Sequence, residues 1–242
     1  MNKKTIIANW KMNKSLAESI NFAKNLIKNN YETDNNIVIC PSSICIHDVL
    51  KIFSNTNISV GAQNCFWADR GAYTGEISAE MLHEIGVEYV ILGHSERRTY
   101  LSETNEIINK KILNSLENNL KIILCIGEKT RQNNNINSIF TDIEECLKSV
   151  PKNSFNDIIV AYEPVWAIGS GVSLDPENAN IICESIQEFI ENKYDFCNIK
   201  TIYGGSLNPE NSKNFLNQPK IDGILVGNAS LDLNKFIKII SK

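Results

Sequence analysis

The 242-residue sequence predicts an α/β fold: a single closed (β/α)8 barrel of eight parallel strands ringed by helices, with residues 1–242 forming one domain. Three observations carry that expectation. Eight short β-type runs recur along the chain, a segment of helical period lies between each pair, and no low-complexity linker interrupts the alternation. The length suits either one barrel or two smaller domains, and the unbroken alternation selects the barrel. A doubly wound open sheet is the runner-up, but no G-x-G-x-x-G follows the first run.

The strand runs are Thr5–Asn9, Ile37–Cys40, Ile58–Ala62, Tyr89–Gly93, Lys121–Cys125, Ile158–Tyr162, Lys200–Tyr203 and Gly223–Val226. They are apolar and rich in Ile and Val, as strands covered on both faces must be. Ser15-Leu16-Ala17-Glu18 is a capping box, and Ile20, Ala23, Leu26 and Ile27 follow it on one helical face. The same period returns as Ile108, Ile112 and Leu116, then as Ile139, Ile143 and Leu147. Asp175-Pro176 reads as N-cap and first helical residue ahead of Ala179, Ile182, Ile186 and Ile190. Asn208-Pro209 is expected to open the next helix, and Leu233, Phe236, Ile237 and Ile240 form the last apolar stripe.

Composition excludes several classes. Lys and Arg total 24 against 28 Asp and Glu, a net charge of −4, and no basic run marks a nucleic-acid surface. No stretch approaches the roughly 20 apolar residues of a membrane span. Met1-Asn2-Lys3-Lys4 leads into a strand too short for a signal peptide, so a cytoplasmic location is expected. The seven cysteines, at 40, 45, 65, 125, 146, 183 and 197, show no CxxC pair and no interleaved His, and read as reduced core residues.

In such a barrel the chemistry sits at the C-terminal ends of the strands. The first run ends in Asn9-Trp10-Lys11-Met12-Asn13, the fourth in Gly93-His94-Ser95-Glu96-Arg97-Arg98, and the sixth delivers Glu163. Their convergence would bring an ammonium, an imidazole and a carboxylate to one mouth, a set suited to proton transfer beside a polarised carbonyl. Singly, each has a plain reading: a solvated Lys, a structural His, a hydrogen-bonded Glu. Lys11 would reverse the local field of an acidic chain in favour of an anionic substrate. Ser95 is a good N-cap, which sets the His94 ring near the positive end of a helix and favours its neutral form. His94-x-Glu96 lacks a third ligand at suitable spacing, so no metal is expected.

After Glu163, Pro164 fixes φ, and Gly169 and Gly171 flank Ser170 beyond the apolar Val165, Trp166, Ala167 and Ile168, a composition suited to a lid. Gly204-Gly205-Ser206 and Gly227-Asn228-Ala229-Ser230 place small residues after the seventh and eighth runs, where backbone N–H groups can cradle a phosphate. Gln63 to Glu76 is long and aromatic for a loop left in water, and is expected to dock on another subunit.

Together these segments resemble the triosephosphate isomerase family, whose fold is the TIM barrel. N-W-K-M-N at 9–13, G-A-Y-T-G-E at 71–76, G-H-S-E-R-R at 93–98, C-I-G-E at 125–128, A-Y-E-P-V-W-A-I-G-S-G at 161–171 and Y-G-G-S at 203–206 carry the likeness, from Ile7 to Leu231. The resemblance implies an isomerase of glycolysis and gluconeogenesis that interconverts dihydroxyacetone phosphate and D-glyceraldehyde 3-phosphate through an enediolate, without cofactor or metal. It implies Glu163 as base, His94 as proton shuttle, Lys11 and Asn9 as stabilisers of negative charge, and Glu96 as a supporting polar group. Gly169, Ser170, Ser206, Gly227 and Asn228 would hold the substrate, the lid from Pro164 to Leu174 closing over it. A homodimer is implied too, with Thr74 reaching the other subunit's site and Glu76 pairing with Arg97 across or near the interface. The chain departs from the family at Asn228, where a second Gly is usual, at Val172-Ser173-Leu174, where Lys-Thr-Ala is common, and in the loop Lys129 to Asn135. Intact Lys11, His94 and Glu163 argue against a barrel that only binds phosphate without catalysis, and a phosphate-binding barrel acting on an aromatic-pathway substrate would need different acids and bases at these strand ends.

Overall fold

The structure, a computed structural model, describes residues 3–29, 31–128, 136–167 and 173–241. Its first half comprises β1 (Thr5–Asn9), α1 (Leu16–Lys28), β2 (Asn36–Cys40), α2 (Ile46–Phe53), β3 (Ile58–Ala62), α3 (Ala79–Glu84), β4 (Tyr89–Leu92), α4 (Ser95–Tyr100) and α5 (Asn105–Glu117). The second comprises β5 (Lys121–Ile126), α6 (Ile136–Cys146), β6 (Ile158–Tyr162), α7 (Pro176–Tyr194), β7 (Lys200–Tyr203), α8 (Ser212–Leu216), β8 (Gly223–Val226) and α9 (Leu233–Ile240). All eight expected strands form, within one residue at each end.

The strands pair in chain order, all parallel, and β8 closes on β1 with Thr5 opposite Gly223 and Ala8 opposite Val226. At that seam only glycine fits position 223, since a Cβ there would lie 1.9 Å from the carbonyl oxygen of Thr5. Alternation along the strands divides the core in two. Ile7, Val38, Ile91, Ile123, Ile159, Ile202 and Leu225 fill the barrel, while Ile6, Ala8, Ile39, Val90, Ile122 and Val160 pack outward against the helices. No helix among the described residues is long and apolar enough to cross a membrane.

Local expectations hold at α1, where the Ser15–Glu18 capping box forms, and at α7, capped by Asp175 with Pro176 following. Three others are corrected. On α1 it is Phe22 that turns to the core beside Ala23 and Leu26, while Ile27 is 41% exposed. Asn208 does not open α8: its Oδ1 accepts the N–H groups of Glu210 and Asn211, a local turn that competes with helix, and α8 starts at Ser212. Cys197 is exposed, unlike the other six cysteines; it lies beyond the end of α7, two residues after Asp195, which takes the left-handed region (φ 52°).

Candidate active site

The ends of β1, β4, β6, β7 and β8 meet in one pocket lined by Asn9, Lys11, His94, Glu163, Gly204, Gly205, Ser206, Gly227 and Asn228. The backbone places Lys11 by force. Asn9 Oδ1 accepts its N–H at 3.0 Å, and Lys11 takes a left-handed φ of 53°, uncommon for a residue with a Cβ. Gln63 Nε2 holds this bend, donating to the carbonyls of Lys11 (2.9 Å) and Cys40 (3.0 Å). From there Lys11 Nζ reaches Glu96 Oε1 at 2.5 Å. The same stem runs beside the β8 turn, where a Cβ on Gly227 would lie 3.7 Å from Lys11 Cε.

His94 is itself the N-cap of α4, in place of Ser95, which is the first helical residue. Its Nδ1 accepts the Glu96 N–H at 3.2 Å, so the ring carries its proton on Nε2. Nε2 lies 3.3 Å from Oε1 of Glu163. The cap therefore sets which ring nitrogen accepts, a choice that the helix dipole does not make. Glu96 turns one carboxylate oxygen to Lys11 and holds the other 3.6 Å from His94 Nδ1.

Glu163 leaves β6 with its N–H on the Ile126 carbonyl (2.7 Å), and the N–H of Gly204 bonds the Tyr162 carbonyl (2.8 Å). Its side chain is only 3% exposed, with the Cys125 thiol as a hydrogen-bonding neighbour. Two glycines make the slot. A Cβ at Gly127 would fall 1.7 Å from the Glu163 carbonyl oxygen, and one at Gly204 would fall 2.8 Å from its Cγ. Cys125 lies beneath, and burial, followed by the nearby Glu163 charge, pushes its thiol well above the ordinary range, so it stays protonated.

The β7 and β8 turns complete the wall with small residues. Asn228 opens the short 3-10 turn Asn228–Leu231 and is an exposed residue of the pocket wall. Gly169 and Ser170 lie outside the described residues, as do Ile168, Gly171, Val172 and the loop 129–135. The described residues on either side of 168–172 are tied down. Tyr162 Oη and Trp166 Nε1 each donate to Glu128 Oε1 at 2.9 Å, and the Leu174 N–H bonds Tyr203 Oη at 3.0 Å. Sequence reasoning assigned no role to Glu128 or Gln63. The C-I-G-E motif was the signal for the first; the second had none.

Thr74 and Glu76 stand exposed around Gly75 (φ 92°), away from the pocket. Within the chain Arg97 pairs with Glu103 (Nε–Oε1 2.7 Å), which also takes the buried ammonium of Lys111. Phe66 folds back to 8% exposure, stacked on Trp67 at 3.9 Å, whereas Trp67 and Tyr73 stay 36% and 45% exposed.

A carboxylate facing the protonated nitrogen of a neutral imidazole, an ammonium, and glycine-rich turns at β7 and β8 define a (β/α)8-barrel enzyme of proton transfer on a small anionic substrate. The sequence comparisons are specific. A family model described as triosephosphate isomerase matches residues 4–242. The chain is 42% identical over 247 residues to triosephosphate isomerase of Alkaliphilus metalliredigens, covering 100% of both, and 45% identical over 248 residues to that of Dictyoglomus thermophilum, covering 99% of both. The chain belongs to the triosephosphate isomerase family.

Proposed function

We propose that Glu163 is the base of the isomerase reaction and that His94, Lys11 and Asn9 stabilise the charge it creates. The reaction is the interconversion of dihydroxyacetone phosphate and D-glyceraldehyde 3-phosphate in glycolysis and gluconeogenesis, through an enediolate. Glu163 removes a proton from C1 of the ketose, and the electron pair moves into the C1–C2 bond and onto the carbonyl oxygen. His94 Nε2–H donates to that oxygen and takes the proton of the neighbouring hydroxyl. Glu163 then returns its proton to C2. Lys11, held by Glu96, offsets the developing negative charge, and Asn9 both shapes the Lys11 bend and lines the same wall. The substrate phosphate takes the turns at Ser206, Gly227 and Asn228, with Gly169 and Ser170 closing over it.

One observation carries the assignment of the base. Glu163 is a buried carboxylate with one oxygen facing an imidazole, in a pocket that also holds the ammonium. An ionisable group so buried is costly unless it is used. A coupled assay for glyceraldehyde 3-phosphate with purified protein tests the activity, and a silent wild type would overturn it.

The working unit proposed is a cytoplasmic homodimer. Met12, Ile44, Trp67, Tyr73, Tyr100 and Leu101 leave much apolar surface in water, and the groove beside Lys11 is lined by Gln63, Cys65, Glu76 and Arg97. Thr74 of one copy would enter that groove on the other, with Glu76 and Arg97 near the seam. Sedimentation at micromolar concentration should give twice the chain mass; a monomer contradicts it.

A further inference from the structure

Arg98 belongs to the G-H-S-E-R-R motif but has no part in the chemistry above. Its position in the fold is specific. It lies one turn into α4, its N–H on the His94 carbonyl, and its side chain folds back toward the strand ends. Nε donates to the Gly93 carbonyl at 2.7 Å, and Nη2 reaches the Cys125 carbonyl at 3.4 Å.

These two carbonyls are the next pair in register beyond the β4–β5 ladder, whose last partners are Leu92 and Leu124. Where the strands stop pairing, the guanidinium takes the carbonyls in place of a backbone partner. Each carbonyl adjoins a catalytic group. Gly93 precedes His94 in a left-handed turn (φ 73°), so fixing its carbonyl fixes the peptide plane from which His94 departs. Cys125 pairs with Ala161 on β6, and the following residue, Ile126, accepts the N–H of Glu163. The space is filled: a Cβ at Gly93 would come within 3.0 Å of Arg98 Nη2 and 3.1 Å of the Cys125 carbonyl. Nη1 bonds Asn105 Oδ1, and Asn105 Nδ2 is held by Asp142 and Glu145, both at 2.7 Å, which braces the guanidinium from outside.

We propose that Arg98 is a positioning residue for the His94–Glu163 pair: its planar fork spans the Gly93 and Cys125 carbonyls and so sets the distance between the two catalytic strand ends. This rests on the assignment of Glu163 and His94 given above. A single ammonium or amide cannot span both carbonyls as a fork does.

The test is Arg98→Lys and Arg98→Gln, each assayed for kcat and KM per folded molecule, the folded fraction taken from circular dichroism, with and without millimolar guanidinium chloride. Displacement of a reacting group by about 1 Å can cost on the order of 100-fold. Both variants should therefore lose at least roughly 10-fold in kcat with KM held within about two-fold, and guanidinium should restore part of the loss in Arg98→Gln. Asn105→Ala, which removes only the outer brace, should stay much closer to wild type. A wild-type kcat per folded molecule in Arg98→Lys, or a loss confined to KM, overturns the proposal while leaving the isomerase reading intact. An inactive wild type overturns the reading itself.

Discussion

His94 Nε2 lies 3.3 Å from Glu163 Oε1 because His94 Nδ1 is occupied by the Glu96 N–H at 3.2 Å. One ring thus serves as helix cap and, in the proposed reaction, as proton donor, and the two roles separate experimentally. Asparagine is a good N-cap but carries no transferable ring proton. His94→Asn should keep a near-native melting temperature while kcat falls roughly 10²–10⁴-fold, the usual worth of a positioned acid–base group. Thermal melts and the coupled assay on the same preparation check both halves.

Gly204 is expected to limit the placement of Glu163 more than the stability of the barrel. A Cβ there meets the Glu163 side chain, at 2.8 Å from Cγ and 3.4 Å from Oε1. Gly204→Ala should lower kcat by at least about 10-fold, since displacing a base by a fraction of an ångström is already costly. Its denaturant midpoint should move little. An unchanged kcat would mean that the carboxylate has room to yield.

Glu103 neutralises two cations with one oxygen. Arg97 Nε and Lys111 Nζ both bond its Oε1, and the Lys111 side chain is 3% exposed. Glu103→Gln leaves the lysine buried without a counter-charge, which typically costs about 3–5 kcal/mol. For a chain of this size that is a melting shift of roughly 6–20 °C. Calorimetry should find it, and a shift under about 2 °C would show that water reaches the pair.

Asp222 supplies the pH dependence. Burial lifts its carboxyl above the ordinary value of 3.8, against the lowering effect of the Thr201 N–H and of Lys4, Lys200 and Lys220. A folded pKa above the unfolded one gives stability that is full below the unfolded value and is lost as pH rises through the folded value. Asp222→Asn removes that titration. The urea midpoint of wild type relative to the variant should therefore improve as pH is lowered from 7 toward 4; a constant difference contradicts the shift.

The barrel was legible because each element had its own local cause. The Ser15 capping box and Asp175-Pro176 mark helix starts, and Ile- and Val-rich runs mark strands buried on both faces. Asn208 failed as a helix start because its side chain satisfies two nearby N–H groups and diverts the chain into a turn. The site residues were legible as types at strand ends. Their arrangement was not, since it depends on contacts between distant segments. That Gln63 holds the Lys11 bend and that Glu128 anchors Tyr162 and Trp166 each need the closed barrel to bring segments together, whereas the His94 cap is local, its Nδ1 taking the N–H two residues on in place of the usual Ser cap.

The central claim is that the carboxylate of Glu163 is the base and that its reach matters. The most direct measurement is the steady-state rate of Glu163→Asp, which keeps the charge and withdraws it by about one bond. A loss on the order of 100-fold or more in kcat, with KM little changed, is the predicted result. A kcat within a few-fold of wild type would show that another group takes the proton.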